Sequence, residues 1–180
     1  MLCRTINTAN ACKFEVGDNG VTGVAFDYSI SPQCYDTSQP GGTAGVTSWL
    51  SFWIYSADVP GKYWEASSEV DFIETKWGPG QGLNLNFAGL GTQKTVKNIM
   101  SGSVSTTFKG TGTNGVQVAT TADSGAGVAT NTLHLSTGYF FVLDIADNKV
   151  QDNAPAGCTV KISNLKISGK VPNGQCSGLL

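Results

Sequence analysis

Short segments rich in β-branched and aromatic residues recur along this chain, and each is bounded by a cluster of Gly, Pro, Asn, Asp or Ser. No window keeps apolar residues at the i, i+3, i+4 and i+7 positions of an amphipathic helix. Many short strands with turn residues between them predict an all-β fold, a sandwich or a barrel. The predicted strands cover residues 21–30, 47–55, 69–75, 82–87, 104–108, 115–119, 132–136, 139–145 and 158–168.

The length and the charge of the chain further limit the class of protein. The chain has 180 residues, which favours one domain over 1–180. Charged residues make up 13% and the net charge is -2, with Arg4 as the only arginine, so the clustered cations that bind a phosphate backbone are missing. No apolar run approaches the ~20 residues of a membrane span. We expect a monomer that binds neither nucleic acid nor a membrane.

Five cysteines stand at positions 3, 12, 34, 158 and 176, without a C-x-x-C pair and with one histidine in the chain. This set does not fit a zinc site, so disulfides and an oxidising compartment are the better interpretation. Cys158 and Cys176 form one predicted pair, Cys12 with either Cys34 or Cys3 is a second candidate pair, and the odd count leaves one thiol over. We expect a secreted or extracellular protein, with five reduced cysteines in the cytosol as the alternative.

The strand predicted over 47–55 has two unlike faces, because successive side chains point to opposite sides. One face is wholly apolar and predicts the core side; it carries Leu50, Phe52 and Ile54. The other is aromatic with polar tips; it carries Trp49, Ser51, Trp53 and Tyr55. The second face suits sugar rings, which stack on flat aromatic groups. The alternative is a strand buried on both faces, with the Trp N–H groups satisfied inside.

Two other segments carry structural signals. In residues 159–167 the apolar alternation slips in phase at Ser163-Asn164, and a β-bulge there would restore a single apolar face. Residues 101–132 are rich in Gly, Ser and Thr, which is typical of a flexible linker. Val and Phe residues embedded in that segment favour short strands with long loops instead.

Three acids, Glu69, Asp71 and Glu74, lie within six residues of one predicted strand. A regular strand would direct Glu74 away from the other two, but one extra residue at Phe72-Ile73 would bring it back beside them. Like charges at such range repel, so a functional cluster is favoured. Retaining glycoside hydrolysis uses two such carboxylates, one ionised and one protonated. The alternatives are a calcium site and a solvent-exposed strand edge.

The segment Glu69-Val70-Asp71-Phe72-Ile73-Glu74 matches the pattern E-x-D-x-x-E, and it resembles glycoside hydrolase family 16, the laminarinase and lichenase group. Members of that family also carry an apolar F-W-L-type strand and a W-P-x-x-G-E segment before the acids. This chain has Phe52-Trp53-Ile54 and then Trp64-Glu65-Ala66-Ser67-Ser68-Glu69. The Trp-to-Glu spacing agrees, although Glu65 and Ser68 replace Pro and Gly. The resemblance implies a concanavalin-like jelly roll.

The resemblance also implies roles for individual residues. Glu69 would be the nucleophile and Glu74 the general acid/base, with Asp71 between them tuning their ionisation. Substrate-binding side chains would be Trp49, Trp53, Trp64, Trp77, Asn84 and Asn86. Many relatives place a histidine on the strand after the acids, but the sole histidine here, His134, is far along the chain and is expected to be an ordinary strand residue.

These expectations combine into one function. The resemblance implies a retaining endo-β-glycan hydrolase that acts on β-1,3- or mixed-linkage β-glucan. Its partner would be a polysaccharide, no cofactor would be required, and a structural calcium ion on the convex side stays open. The alternatives are a transglycosylase with the same site, a non-catalytic lectin-like relative, and a structural surface protein.

Overall fold

A computed structural model of the protein describes residues 4–7, 13–31, 35–36, 45–46, 48–56, 58, 69–75, 83–85, 94–96, 101–123, 127–147 and 159–170. Within these residues the chain forms thirteen strands and no helix. The strands are β1 (Arg4–Asn7), β2 (Val21–Ile30), β3 (Tyr35–Asp36), β4 (Gly45–Val46), β5 (Ser48–Ser56), β6 (Glu69–Thr75), β7 (Leu83–Leu85), β8 (Lys94–Val96), β9 (Ser101–Thr111), β10 (Gly115–Ala122), β11 (Val128–Leu133), β12 (Tyr139–Asp147) and β13 (Val160–Gly169).

The strands form two antiparallel sheets and one short hairpin. The six-stranded sheet has the order β1-β12-β5-β6-β7-β8, and the five-stranded sheet has the order β11-β10-β9-β2-β13. Strands β3 and β4 pair with each other. The prediction of an all-β, antiparallel β-sandwich is confirmed, while the concanavalin-like jelly-roll connectivity stays a prediction. In the part of the chain given above, no helix is long and apolar enough to cross a membrane.

Aromatic side chains join the two sheets. Phe26 of β2 meets Phe52 of β5 edge-to-face at 4.9 Å between ring centroids, and Phe72 of β6 at 6.0 Å. Phe141 of β12 stacks on Phe52 at 5.8 Å. Such pairs add about 0.5–1.5 kcal/mol each beyond the burial of their area. The hydrophobic core therefore lies between the inner faces of the sheets, and Phe26 supplies the aromatic contacts described here from the five-stranded side.

Strand alternation explains why the segment rich in Gly, Ser and Thr is ordered. In β9 the inward residues Val104, Thr106 and Phe108 are buried, while the Ser and Thr residues between them are exposed. Thr106 and Thr120 of β10 share a buried hydrogen bond of 2.8 Å, which satisfies both hydroxyls in the core. The linker alternative is wrong, and the strands here are longer than predicted.

The prediction of a strand over 132–136 is wrong in its bounds, because β11 covers Val128–Leu133. His134 lies in the bend that follows and is exposed, so it is not a strand residue. The carbonyls beyond it have other partners: Val16 N–H donates to Ser136 O at 2.7 Å, and the Ser56 hydroxyl donates to Thr137 O at 2.6 Å. Long-range hydrogen bonds thus replace the ladder at this point.

Four short strands were not predicted, because they have too few residues for a visible alternation: β1, β3, β4 and β8. All five cysteines lie outside the described residues, so the pairing of Cys158 with Cys176 stays a prediction.

The predicted bulge near the end of the chain is confirmed. The pairing of β13 with β2 shifts register between Ser163 and Lys166, and Asn164 has a φ of 52°. Asn tolerates this left-handed conformation better than most residues. Its side-chain N–H donates to Asp27 Oδ2 at 2.5 Å, which fixes the bulge to the neighbouring strand. The bulge lets four apolar residues of one strand pack on the core: Val160, Ile162, Leu165 and Ile167.

Residues 13–20, here called the connecting segment, link the two sheets at one end. Phe14 exchanges backbone hydrogen bonds of 2.8 and 3.1 Å with Tyr139 at the start of β12. Asp18 N–H donates to Gly110 O at 2.9 Å, and Gly110 N–H donates to Asp18 Oδ1 at 3.0 Å. Gly17 has a φ of 95°, and a Cβ there would lie 2.4 Å from Gly110 O, so only glycine fits.

We expect Phe26→Ala to lower the free energy of unfolding by about 3–5 kcal/mol, because it removes the ring that fills the space between Phe52 and Phe72. Urea unfolding followed by tryptophan fluorescence measures the change. Ser29→Ala on the exposed face of the same strand is the control and should stay within about 0.5 kcal/mol. A loss below 1 kcal/mol for Phe26→Ala would show that this ring does not hold the sheets together.

Candidate active site

A bulge in β6 brings Glu69, Asp71 and Glu74, here called the acid cluster, onto one face of the six-stranded sheet. Glu69 pairs with Tyr55, Asp71 with Trp53 and Glu74 with Ser51 of β5. The register shifts between Phe52 and Trp53, where Phe72 is the extra residue. The predicted bulge at Phe72-Ile73 is therefore confirmed.

The bulge directs two consecutive side chains into the core. Phe72 is 0% exposed and Ile73 is 1% exposed, and both belong to the hydrophobic core between the sheets. Val70 is also buried. Burial of both bulged residues stabilises the extra residue and so fixes the position of Glu74.

The acid cluster is recessed from solvent. Asp71 is 5% exposed and Glu74 is 7% exposed, while Glu69 is half-buried. Ser51, opposite Glu74, is buried as well. The alternative interpretation of the three acids as part of a solvent-exposed strand edge is therefore wrong, since acids on such an edge would retain most of their hydration.

Three aromatic residues lie on the same face as the acids and are here called the aromatic group: Trp53, Tyr55 and Phe140. The Trp53 and Tyr55 rings stack at 4.9 Å, and the edge of Phe140 meets Tyr55 at 4.0 Å. Phe140 of β12 pairs with Tyr55, and Val142 pairs with Trp53. Both β12 residues are buried. The sheet beside the acids is therefore apolar.

Tyr55 and Phe140 were not predicted as site residues. Tyr55 shares the aromatic face of β5, but its position opposite Glu69 depends on the pairing of β5 with β6. For Phe140 a signal existed in the sequence. Residues 139–143 are consecutively apolar, which is typical of a strand covered on both faces.

Burial raises the pKa of Glu69 from its ordinary value of 4.5 to about 7. Desolvation is the largest cause, because Tyr55 and the neighbouring apolar residues withdraw water from the charged form. The negative charge of Glu74 raises the pKa further, and a hydrogen bond between the Glu69 and Asp71 side chains acts in the opposite direction. The cluster thus holds a proton on Glu69 up to neutral pH.

The other predicted binding residues fall in two groups. The backbone register places Asn84 of β7 next to Glu74, and it places Trp49 of β5 opposite Ala146. The remaining predicted residues lie outside the described part of the chain: Trp64, Trp77 and Asn86.

The described side chains include no group of three or more His, Cys, Asp or Glu residues arranged to hold a metal ion. The acid cluster lies in a strand between buried apolar residues. A calcium ion takes six to eight oxygen ligands, usually with several from loop carbonyls and water. The acid cluster by itself therefore fits the coordination of a calcium ion less well than it fits a role in proton transfer.

The geometry brings together Glu69, which holds a proton up to about pH 7, the neighbouring Glu74, and Asp71, which hydrogen-bonds to Glu69. Groups of one type whose environments separate their protonation states can serve as acid and base in one reaction. The apolar surroundings strengthen the electrostatic interactions of these groups. No protein-family model matches this chain, and no curated protein matches it.

We expect Glu69→Gln to make stability less dependent on pH. The folded protein holds the Glu69 proton more tightly than the unfolded chain does, so stability is lost as pH rises from about 4.5 to about 7. This loss amounts to about 3 kcal/mol. The amide has no proton to lose, so the variant should be more stable than the wild type at pH 8 and equally stable at pH 4.

Urea unfolding at several pH values between 4 and 8 tests this expectation, with Asp123→Asn as a control for an exposed carboxylate. Parallel stability curves for the wild type and Glu69→Gln would contradict a raised pKa for Glu69.

Proposed function

We propose that this protein is a retaining endo-β-glycan hydrolase, related to glycoside hydrolase family 16, that acts on β-1,3- or mixed-linkage β-glucan. One observation carries the proposal: the bulge in β6 puts Glu69, Asp71 and Glu74 on one recessed face opposite Tyr55, Trp53 and Ser51. The match of these residues to the family pattern supports it.

In the proposed reaction, one glutamate attacks the anomeric carbon while the other protonates the leaving glycosidic oxygen. The bond from the anomeric carbon to that oxygen breaks, and a covalent glycosyl-enzyme forms. The second glutamate then removes a proton from water, and the water oxygen displaces the enzyme carboxylate. Two inversions give net retention, and each glutamate returns to its starting state.

By resemblance Glu69 is the nucleophile and Glu74 the acid/base. The nucleophile must be ionised at the moment of attack, whereas the free protein holds a proton on Glu69 up to about pH 7. The proposed reaction therefore includes transfer of this proton within the cluster, to Glu74, before attack. Asp71 is hydrogen-bonded to Glu69 and favours its ionised form, which makes Asp71 the positioning residue for that step.

The aromatic group supports a sugar substrate. Trp53 and Tyr55 lie opposite Asp71 and Glu69, so a glycan bound against their rings lies next to the carboxylates. Burial of Asp71 and Glu74 limits access of water. Such a site also suits transfer to a second sugar, which is the same chemistry with a different acceptor.

The remaining expectations belong to this proposal. The partner is a polysaccharide, the reaction requires no cofactor, and the protein acts as a secreted or extracellular monomer. A lectin-like protein and a structural surface protein are the other outcomes that the first experiment separates.

We expect the wild type to release reducing ends from laminarin or mixed-linkage glucan, and Glu74→Ala to lose about 10²–10⁴-fold in rate because it lacks the proton donor. Glu69→Ala should lose at least as much. Lys109→Gln, at an exposed position of the other sheet, is the control. A wild type that cleaves neither glucan but is retarded in a glucan affinity gel would replace the hydrolase by a lectin, and failure in both assays would favour a structural protein.

Azide distinguishes the two glutamate roles. With an aryl β-glucoside whose leaving group needs no acid, azide should rescue Glu69→Ala and give the α-glycosyl azide, because it attacks in place of the nucleophile. It should rescue Glu74→Ala with the β-glycosyl azide, because it replaces water at the glycosyl-enzyme. Proton NMR of the products reads the configuration, and the opposite pattern would exchange the two roles.

We expect kcat/KM to fall above about pH 7, because the acid cluster then loses the proton that the leaving group requires. Initial rates on soluble glucan between pH 4 and 9 measure this decrease in kcat/KM. For a substrate whose leaving group needs no acid, the decrease above pH 7 should be smaller. A rate that stays constant up to pH 9 on both substrates would contradict acid catalysis by this cluster.

A further inference from the structure

A shallow trough lies on the outer face of the five-stranded sheet, on the opposite side of the sandwich from the acid cluster. Its volume is about 510 Å³. The pairing of residues between the strands explains the shape of the trough. Small residues of the central strands, Ala25 on β2 and Ser105 on β9, pair with each other, and the longer Lys166 on β13 and Thr121 on β10 flank them. The trough therefore follows the direction of the two central strands.

The next residues along the trough are polar and fixed in place. Asp27 Oδ1 accepts a hydrogen bond of 2.6 Å from the Ser103 hydroxyl, and Asp27 Oδ2 accepts one of 2.5 Å from the Asn164 amide. These two bonds hold the pKa of the Asp27 carboxyl below its ordinary value. Asp27 is thus an ionised acceptor whose orientation is set before any ligand binds.

A second carboxylate, Asp123, faces the same trough from its other side. Gly102 leaves room for it, since a Cβ there would lie 2.8 Å from Asp123 Oδ1. Lys166 also lines the trough and supplies a donor. Donors and acceptors therefore converge from both walls on a floor made of small side chains.

The side chains that line the trough limit the class of ligand that it can bind. Two carboxylates against one ammonium disfavour anions, including a phosphate backbone. Carbon atoms line the trough together with the polar groups, among them those of Ala25 and Ala122. The side chains of Phe26 and Val104 point into the core and are buried, so no large apolar side chain is exposed to hold an apolar ligand. A neutral polyhydroxyl chain matches a surface of carboxylate, amide, ammonium and hydroxyl groups.

We propose that this trough is a second glycan-binding site, which holds a neutral β-glucan segment through its hydroxyl groups. The choice of β-glucan rests on the proposed function, whereas the site itself rests on the trough. Because the two sites lie on opposite faces, one molecule can bind glucan at both, and the effective concentration at the acid cluster rises on an insoluble polymer.

A glutamine substitution tests the site. In a Glu69→Gln/Glu74→Gln background that cannot cleave, titration with a β-1,3-glucan pentasaccharide should shift the amide NMR signals of Ala25, Ser105 and Thr121. Ser105→Gln adds a long side chain to the floor and should weaken this binding at least threefold. Lys109→Gln is the matched control, since it introduces the same side chain on the exposed face of the same strand and should leave the affinity unchanged.

The outcomes separate this site from the proposed enzyme. Signal shifts confined to the acid face, or equal affinity for Ser105→Gln and the control, would overturn the second site and leave the hydrolase standing. Binding at the trough by a wild type that cleaves no glucan would support the second site alone. A trough that binds a cationic glucosamine pentasaccharide but not the neutral glucan would overturn the proposed ligand class.

Discussion

The bulge in β6 is the constraint on which the candidate site depends. If β6 continued as a regular strand through Phe72 and Ile73, Glu74 would point inward, toward Phe26 and Phe52. An ionised carboxylate in such a core costs several kcal/mol after relaxation. The bulge instead buries Phe72 and Ile73 together, so the same local irregularity completes the core and returns Glu74 to Glu69 and Asp71. Core packing and the acid cluster are two results of one register shift.

Much of this arrangement could be predicted because its causes are local. Both bulges are visible as slips in the alternation of apolar residues, at Phe72-Ile73 and at Ser163-Asn164, and strand alternation correctly separated the inner and outer faces of β5. The end of β11 could not be predicted, since its cause is a hydrogen bond from Val16, which is distant in sequence. The raised pKa of Glu69 is a similar case, because the pairing of β5 with β6 places Tyr55 opposite Glu69, and the pairing of β12 with β5 places Phe140 beside Tyr55.

The two outer faces of the sandwich have unlike chemistry although both consist of antiparallel strands. The acid face combines carboxylates with aromatic side chains and is largely buried. The opposite face carries Ser, Thr and Ala between charged residues, and most of its side chains are exposed. The core separates the faces, so substitutions on one should combine additively with substitutions on the other. The candidate active site and the proposed second site can thus be altered independently of each other.

The connecting segment has a consequence for the order in which the fold opens. It hydrogen-bonds to Tyr139 in one sheet and to Gly110 in the other, and Lys170 N–H after β13 donates to Gly20 O at 2.9 Å. Sub-global unfolding starts where the fewest such bonds must break. Strand β11 lies at a sheet edge, and its Val128 is 48% exposed. Within the five-stranded sheet, native-state fluctuations should therefore release the edge strand β11 before the other edge strand, β13, which Lys170 ties to the connecting segment.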